Sequence, residues 1–187
     1  MTRLELQQRG LLDLVKNRGA TTDDPYLRRV ADSRGLAMVR EIALWWRAFQ
    51  LEGQCRFTSR LLKRMACFDA LITAYFDNNA TSPFIEELSR DFLTSLRVHD
   101  DRLIRAVSQF EYAFLEVRAG SAETFEIVWD RHPDRVFLAL ENGSELPIPE
   151  PGSRYRMRIG RDVPCTIACT RESAQYGGKT CAPETGV

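Results

Sequence analysis

The sequence predicts an α+β protein: an N-terminal all-helical bundle followed by a small C-terminal mixed α/β module that contains a short, mainly antiparallel sheet. Three observations predict it. Up to Gly120 the apolar residues recur at helical spacing in one segment after another. Beyond Gly120 the period drops to two, in Thr124 to Trp129 and again in Arg154 to Ile159. Dense turn signals, above all NGSELPIPEPG, separate these later segments. The expected domains are a bundle over residues 1–120, a strand–helix–hairpin module over 121–172, and a flexible tail over 173–187, which has no period of either kind.

Taken in order, Leu4 to Arg18 carries Leu4, Leu11, Leu12, Leu14 and Val15 at helical spacing, weakened by Gly10. Asp24-Pro25 is a helix start, because proline in the first turn gives up an N–H that has no partner there, and the short helix is expected to run to about Arg34, before Gly35. Leu36 to Leu51 follows. Val39, Ile42, Trp46 and Phe49 form its expected inward stripe, with Trp45 one residue off it and placed to anchor a partner. Thr58 is the expected cap of a helix from Ser59 to Met65, and CFDALITAYFD continues as another. Ser82-Pro83 opens a helix lined by Ile85, Leu88, Phe92 and Leu96.

The last helix of the bundle, Asp101 to Arg118, is apolar at ten of the fifteen residues from Leu103 to Val117. Leu103, Val107, Phe110, Phe114 and Val117 make one seam flanked by Ile104, Ala106, Ala113 and Leu115, and so wide a face predicts a central helix. Asp100 or Asp101 is positioned to cap it, and Gly120 to stop it. Glu111 projects inside the apolar face, where a lone carboxylate costs several kcal/mol, roughly, unless paired. An arginine partner is expected for this buried structural charge.

In the module, Phe125, Ile127 and Trp129 share one face of a strand, and Pro133 opens a short helix to Glu141. A hairpin from Arg154 to Arg171 closes it. Alternation sends Arg154, Arg156 and Arg158 to one face and Tyr155, Met157 and Ile159 to the other. Three aligned guanidiniums repel unless something acidic faces them, and Glu126 on a neighbouring strand is one candidate. One reading is a solvated charged face that discourages edge pairing. The other is a peptide-docking surface, an extended peptide adding to a sheet edge while the arginine row reads its acidic side chains.

Composition narrows the function. The 187 residues hold 26 basic and 26 acidic side chains, so no global field draws nucleic acid. The first 66 residues are net basic by six charges, and basic helices carrying Arg28, Arg29, Arg56, Arg60 and Arg64 keep a DNA-binding alternative open, without a recognition-helix pattern. No apolar run reaches the 18 or so residues of a membrane span and the N-terminus has no signal-peptide core, so a cytoplasmic protein is expected. Five cysteines lack a framework spacing, and only His99 and His132 are present, so no metal site is expected in this chain. Phosphate loops, nucleophile elbows and dinucleotide fingerprints are missing too, which favours binding or assembly over self-sufficient catalysis.

Two passages carry a family resemblance: SPFIEELSRDFLTSL with QFEYAFLEV, and FEIVWDRHPDRVFLALENGSELPIPEPGSRYRMRIGRD. Over roughly residues 36–171 the chain resembles the small partner proteins of multi-iron TIM-barrel oxidases that modify ribosomally made peptides. The short sheet module most resembles the methanobactin branch, the MbnC partners of the iron oxidase MbnB. The resemblance implies a heterodimer that binds the leader of a precursor peptide (MbnA), with no cofactor in this chain. The iron resides in the enzyme, which converts core cysteines to oxazolone and thioamide groups that chelate copper. Partners in other ribosomal-peptide or thiaglutamate pathways are the neighbouring branches.

Overall fold

The computed structural model describes residues 2–16, 23–79, 81–161 and 166–171, the last by backbone alone. It is an α+β protein of two compact units, Met1–Ser121 and Ala122–Val187. The expected tail lies outside the described residues.

Among the described residues, seven helices build the first unit: α1 (Arg3–Val15), α2 (Pro25–Ala31), α3 (Arg34–Gln54), α4 (Arg56–Arg64), α5 (Phe68–Asn78), α6 (Ile85–Ser95) and α7 (Arg102–Arg118), with a 3-10 turn, Leu96–Val98, before the last. Their starts follow from local chemistry. Thr2 and Glu5 form a reciprocal capping box on α1. Asp24 caps α2 ahead of Pro25, and Asp101 caps α7 through Leu103 N (2.7 Å) and Ile104 N (3.1 Å). Gly35 does not end α2. Ser33 accepts from Leu36 N and starts α3 there, so the glycine lies in the first turn of the next helix. Gly10 has a packing role: a Cβ there would lie 2.4 Å from Leu27 Cδ1, so its bare backbone lets α2 approach α1.

Helix α7 is central, with α4, α6 and the 3-10 turn packed on it. Its first three turns bury Leu103, Ile104, Ala106, Val107, Ser108, Glu111 and Ala113, whereas Phe114, expected in the seam, is half exposed. Leu51, Leu61, Leu62, Ile72, Leu88, Phe92 and Leu93 complete the core, and Leu14, Leu27 and Leu36 form a satellite cluster beneath α1 and α2.

The second unit is a three-stranded antiparallel sheet in the order β1 (Phe125–Trp129), β2 (Ser153–Ile159), β3 (Thr166–Arg171), with α8 (Pro133–Asn142) between the first two strands. Ile127 pairs with Met157 in register, and Met157 with Ile167. Ile127, Trp129, Tyr155, Met157 and Ile159 are buried on one face, where Phe137 of α8 meets Trp129 edge to face at 5.4 Å.

Two helix ends give a paired test. After α7, Gly120 (φ +95°) occupies a Schellman turn: Ser121 N donates to Glu116 O (3.0 Å) and Gly120 N to Val117 O (3.1 Å). After α4 the same two bonds recur, Cys67 N to Leu62 O and Ala66 N to Lys63 O, both 3.0 Å, but the left-handed residue is Ala66 (φ +54°). A side chain in that conformation costs about 1 kcal/mol. Ala66→Gly is therefore expected to raise stability by about 1 kcal/mol, and Gly120→Ala to lower it by a similar amount, in urea unfolding.

Candidate functional site

Three places in the two units stand out: the outer face of the sheet, a stripe along α3, and the surroundings of Glu111.

On the sheet, alternation acts as the sequence predicts. Tyr155, Met157 and Ile159 are buried, while Arg154, Arg156 and Arg158 are exposed on the opposite face beside Glu126 and Val128 of β1. Glu126 stands opposite Arg158 in register and takes its hydrogen bond from Arg156 Nη1 at 2.7 Å, a diagonal cross-strand pair. Glu126 thus answers Arg156 across the strands, and Arg154, Arg156 and Arg158 stay exposed on that face. Strand β2 is the middle strand, so both of its backbone edges are already paired. A peptide adding as a further strand therefore needs β1 or β3, and β2 contributes the arginine row rather than the edge. Beneath the row, Tyr155 Oη donates to Glu150 Oε2 (2.5 Å), which holds the strand to the connector before it, and its ring meets that of His132 at the start of α8 at 5.1 Å.

The stripe on α3 overturns the expected orientation of that helix. Val39, Ile42, Trp46 and Phe49 do not point inward; each is about half exposed, and Trp45 (62%) and Met38 (64%) join them. Trp45 stacks on Phe49 at 5.8 Å, and Trp46 on Phe49 at 5.9 Å. The inward face holds Leu36 and Leu51 with Arg40 and Arg47 between them. Sequence periodicity found the apolar stripe but assigned it the wrong side, because it priced two arginines as exposed. Both are answered: Arg40 Nε donates to Leu14 O (2.8 Å), and Arg47 donates to Thr81 Oγ1 and lies over the Phe76 ring at 5.5 Å. The two arginines line, with Leu44, Phe76, Asp77 and Thr81, a cavity of about 280 Å³.

Glu111 is buried, as expected, but not on an arginine. Its two oxygens accept from the backbone N–H groups of Phe57 (2.7 Å) and Thr58 (2.8 Å), the first turn of α4. That helix has no cap from its own Cys55, and Thr58, the expected cap, lies inside it. The carboxylate of α7 thus does the capping work across the core, at the positive end of the helix dipole. Burial pushes the Glu111 carboxyl above its ordinary range, opposed by hydrogen bonds from Thr58 and Phe57. Burial, with the charge of Glu111, also pushes the neighbouring Cys55 thiol up, so this cysteine stays protonated and inert.

Among the described residues no three His, Cys, Asp or Glu side chains come together, and no helix is long and apolar enough to cross a membrane. His99 accepts through Nδ1 from Asp101 N (3.0 Å) ahead of α7. Comparison with protein-family models, curated proteins and solved structures finds no match to the chain.

Removing the cap exposes its role. Glu111→Ala strands one buried and one half-buried N–H donor and is expected to cost about 2–3 kcal/mol in chemical denaturation, more than any exposed carboxylate of α6 or α7. Glu111→Gln tests the titration. A raised carboxyl means the folded chain holds the proton more tightly than the unfolded chain. The wild-type advantage over Glu111→Gln is then greatest below the ordinary glutamate value and shrinks as pH rises through the raised one. Melting both proteins between about pH 4 and about pH 8 checks the sign.

Proposed function

We propose that this chain is the non-catalytic partner subunit of an iron-dependent peptide-modifying oxidase, of the MbnC type. It holds the leader of a precursor peptide while the enzyme converts core cysteines to oxazolone and thioamide groups in methanobactin biosynthesis. The family resemblance brings the enzyme and its iron into this reading. The observation that carries the peptide-binding part is the sheet: an exposed row of Arg154, Arg156 and Arg158 on the middle strand, flanked by two edge strands. An extended chain hydrogen-bonded to an edge places alternate side chains over the same face as that row, within reach of guanidiniums if they are acidic. Tyr155, Met157 and Ile159 serve the site from below by fixing the strand to its core.

The division of tasks is physically consistent. A subunit that only positions a peptide needs a rigid sheet, an electrostatic face and an assembly surface, and it needs no metal ligands of its own. Other peptide-modifying or thiaglutamate systems would use the same devices with a different precursor, so the encoded neighbours decide the branch.

Two measurements test this reading. Co-expression with the barrel-type iron protein encoded nearest the gene is expected to yield a stable complex carrying iron in that protein, and separate elution of the two would overturn the assembly. In that complex, Arg156→Glu is expected to weaken binding of the precursor's labelled leader segment by about 1–3 kcal/mol, a loss of roughly five- to 150-fold in anisotropy titrations. The fold should tolerate the change, because the exposed Arg156–Glu126 pair is worth under about 1 kcal/mol. Leader peptides methylated at single backbone nitrogens separate strand addition from simple charge attraction: alternate positions should lose affinity if an edge is used, and none if it is not.

A further inference from the structure

The stripe on α3 is the largest feature of the helical unit that neither its core nor the sheet accounts for. Met38, Ile42, Trp45 and Phe49 recur at steps of four, three and four, with Val39 and Trp46 widening the seam on one side. At about half exposure, three aromatics of roughly 150–250 Å² each and three large aliphatic side chains leave on the order of 600 Å² of apolar surface in one patch. That is the upper limit for patches on monomers, about 300–600 Å², and most of the roughly 800 Å² that each partner contributes to a standard stable interface.

The pattern along the stripe is self-complementary. A two-fold axis between Ala43 and Leu44 sets two α3 helices antiparallel, Ile42 opposite Trp45 of a second copy and Met38 opposite Phe49. Each contact then sets a slim aliphatic side chain against a bulky aromatic one, which is how facing layers interdigitate. The ends agree as well. Gly35 and Gly53 lie on the same face; a Cβ at Gly53 would meet open space and one at Gly35 only Ser33 Oγ at 3.9 Å, so neither helix end obstructs a neighbour. Arg34 and Glu52 lie on one flank of the stripe, and the same axis brings Arg34 of each copy against Glu52 of the other. Glu52 is already oriented by Lys63.

We infer that the chain forms a homodimer through an antiparallel pairing of α3 with α3 of a second copy, with Ile42, Trp45 and Phe49 at its centre. A helix face fits a helix, and this face fits its own image.

The purified full-length chain, without any enzyme, is the sample. Light scattering behind size exclusion and sedimentation velocity at micromolar concentration are expected to give twice the 21.4 kDa chain mass. Trp45→Glu should move the species to the monomer mass with an unchanged circular-dichroism spectrum, since the side chain is on the surface. Arg34→Glu should weaken dimerisation about fivefold or more, and Arg34→Glu with Glu52→Arg should restore it. A monomeric wild-type chain at high micromolar concentration overturns the inference. So does a dimer that survives Trp45→Glu, or one indifferent to the charge exchange. If the wild type is monomeric and Trp45→Glu instead abolishes complex formation with the iron enzyme, the stripe belongs to that enzyme; the homodimer then fails while the proposed function stands.

Discussion

The carboxylate of Glu111 on the first turn of α4 is the contact on which the helical unit depends. Helix α4 follows α3 after a single residue, Cys55, whose side chain gives the new helix no cap. Its first N–H groups therefore need an acceptor from elsewhere in the chain, that of Phe57 being half-buried and that of Thr58 buried. Glu111 supplies both oxygens from the middle of α7. One bidentate contact thereby fixes the rotation of α4 about its own axis. With Phe57 and Thr58 N–H aimed at α7, Leu61 and Leu62 turn inward, and Arg56, Lys63 and Arg64 turn to solvent.

This arrangement also explains how a carboxylate survives within the buried apolar face of α7. An ion pair would have brought a second charge to be desolvated. A helix N-terminus brings fixed partial charges whose alternative is an unsatisfied backbone, so the two penalties cancel against each other. The residual burden appears as the raised carboxyl of Glu111 and the raised thiol of Cys55 beside it.

Much of the architecture was legible in the residues because it rests on local chemistry. The switch from helical to alternating period near Gly120 marks the boundary between the two units, and Asp24-Pro25, Asp101 and Gly120 act where their side chains or φ angles predict. The two faces of β2 followed from alternation alone. What the sequence concealed was non-local. Nothing in the string RFTSRLLKR says that its helix is capped from a residue more than fifty positions away. Nothing in LWWRAFQL says that Arg47 has a ring and a hydroxyl waiting inside while the tryptophans have nothing. Nor does the alternation of Arg154 to Ile159 tell a middle strand from an edge, since that depends on where β1 and β3 pair.

The inversion of α3 bears on how the molecule recognises others. On the proposed assignments the two faces rest on different forces. The α3 stripe is apolar and non-directional, so its contact strengthens or holds as salt rises and weakens on cooling. The sheet face rests on guanidiniums largely open to water, where attraction is screened beyond about 8–10 Å at ordinary ionic strength. On the proposed assignments, raising salt releases an acidic peptide from the sheet while leaving the helical pairing intact. The separation is useful to a subunit that must stay assembled while its peptide comes and goes, because the exchanging contact is the weak, screened one and the lasting contact is the buried one. Such a design asks for an arginine row on a surface that the core does not need and for tryptophans on a helix that the core has already filled by other means. Both are what the inward Arg40 and Arg47 and the outward Arg156 provide: the inward charges are satisfied inside, and the one proposed to exchange partners shares a surface carboxylate, Glu126.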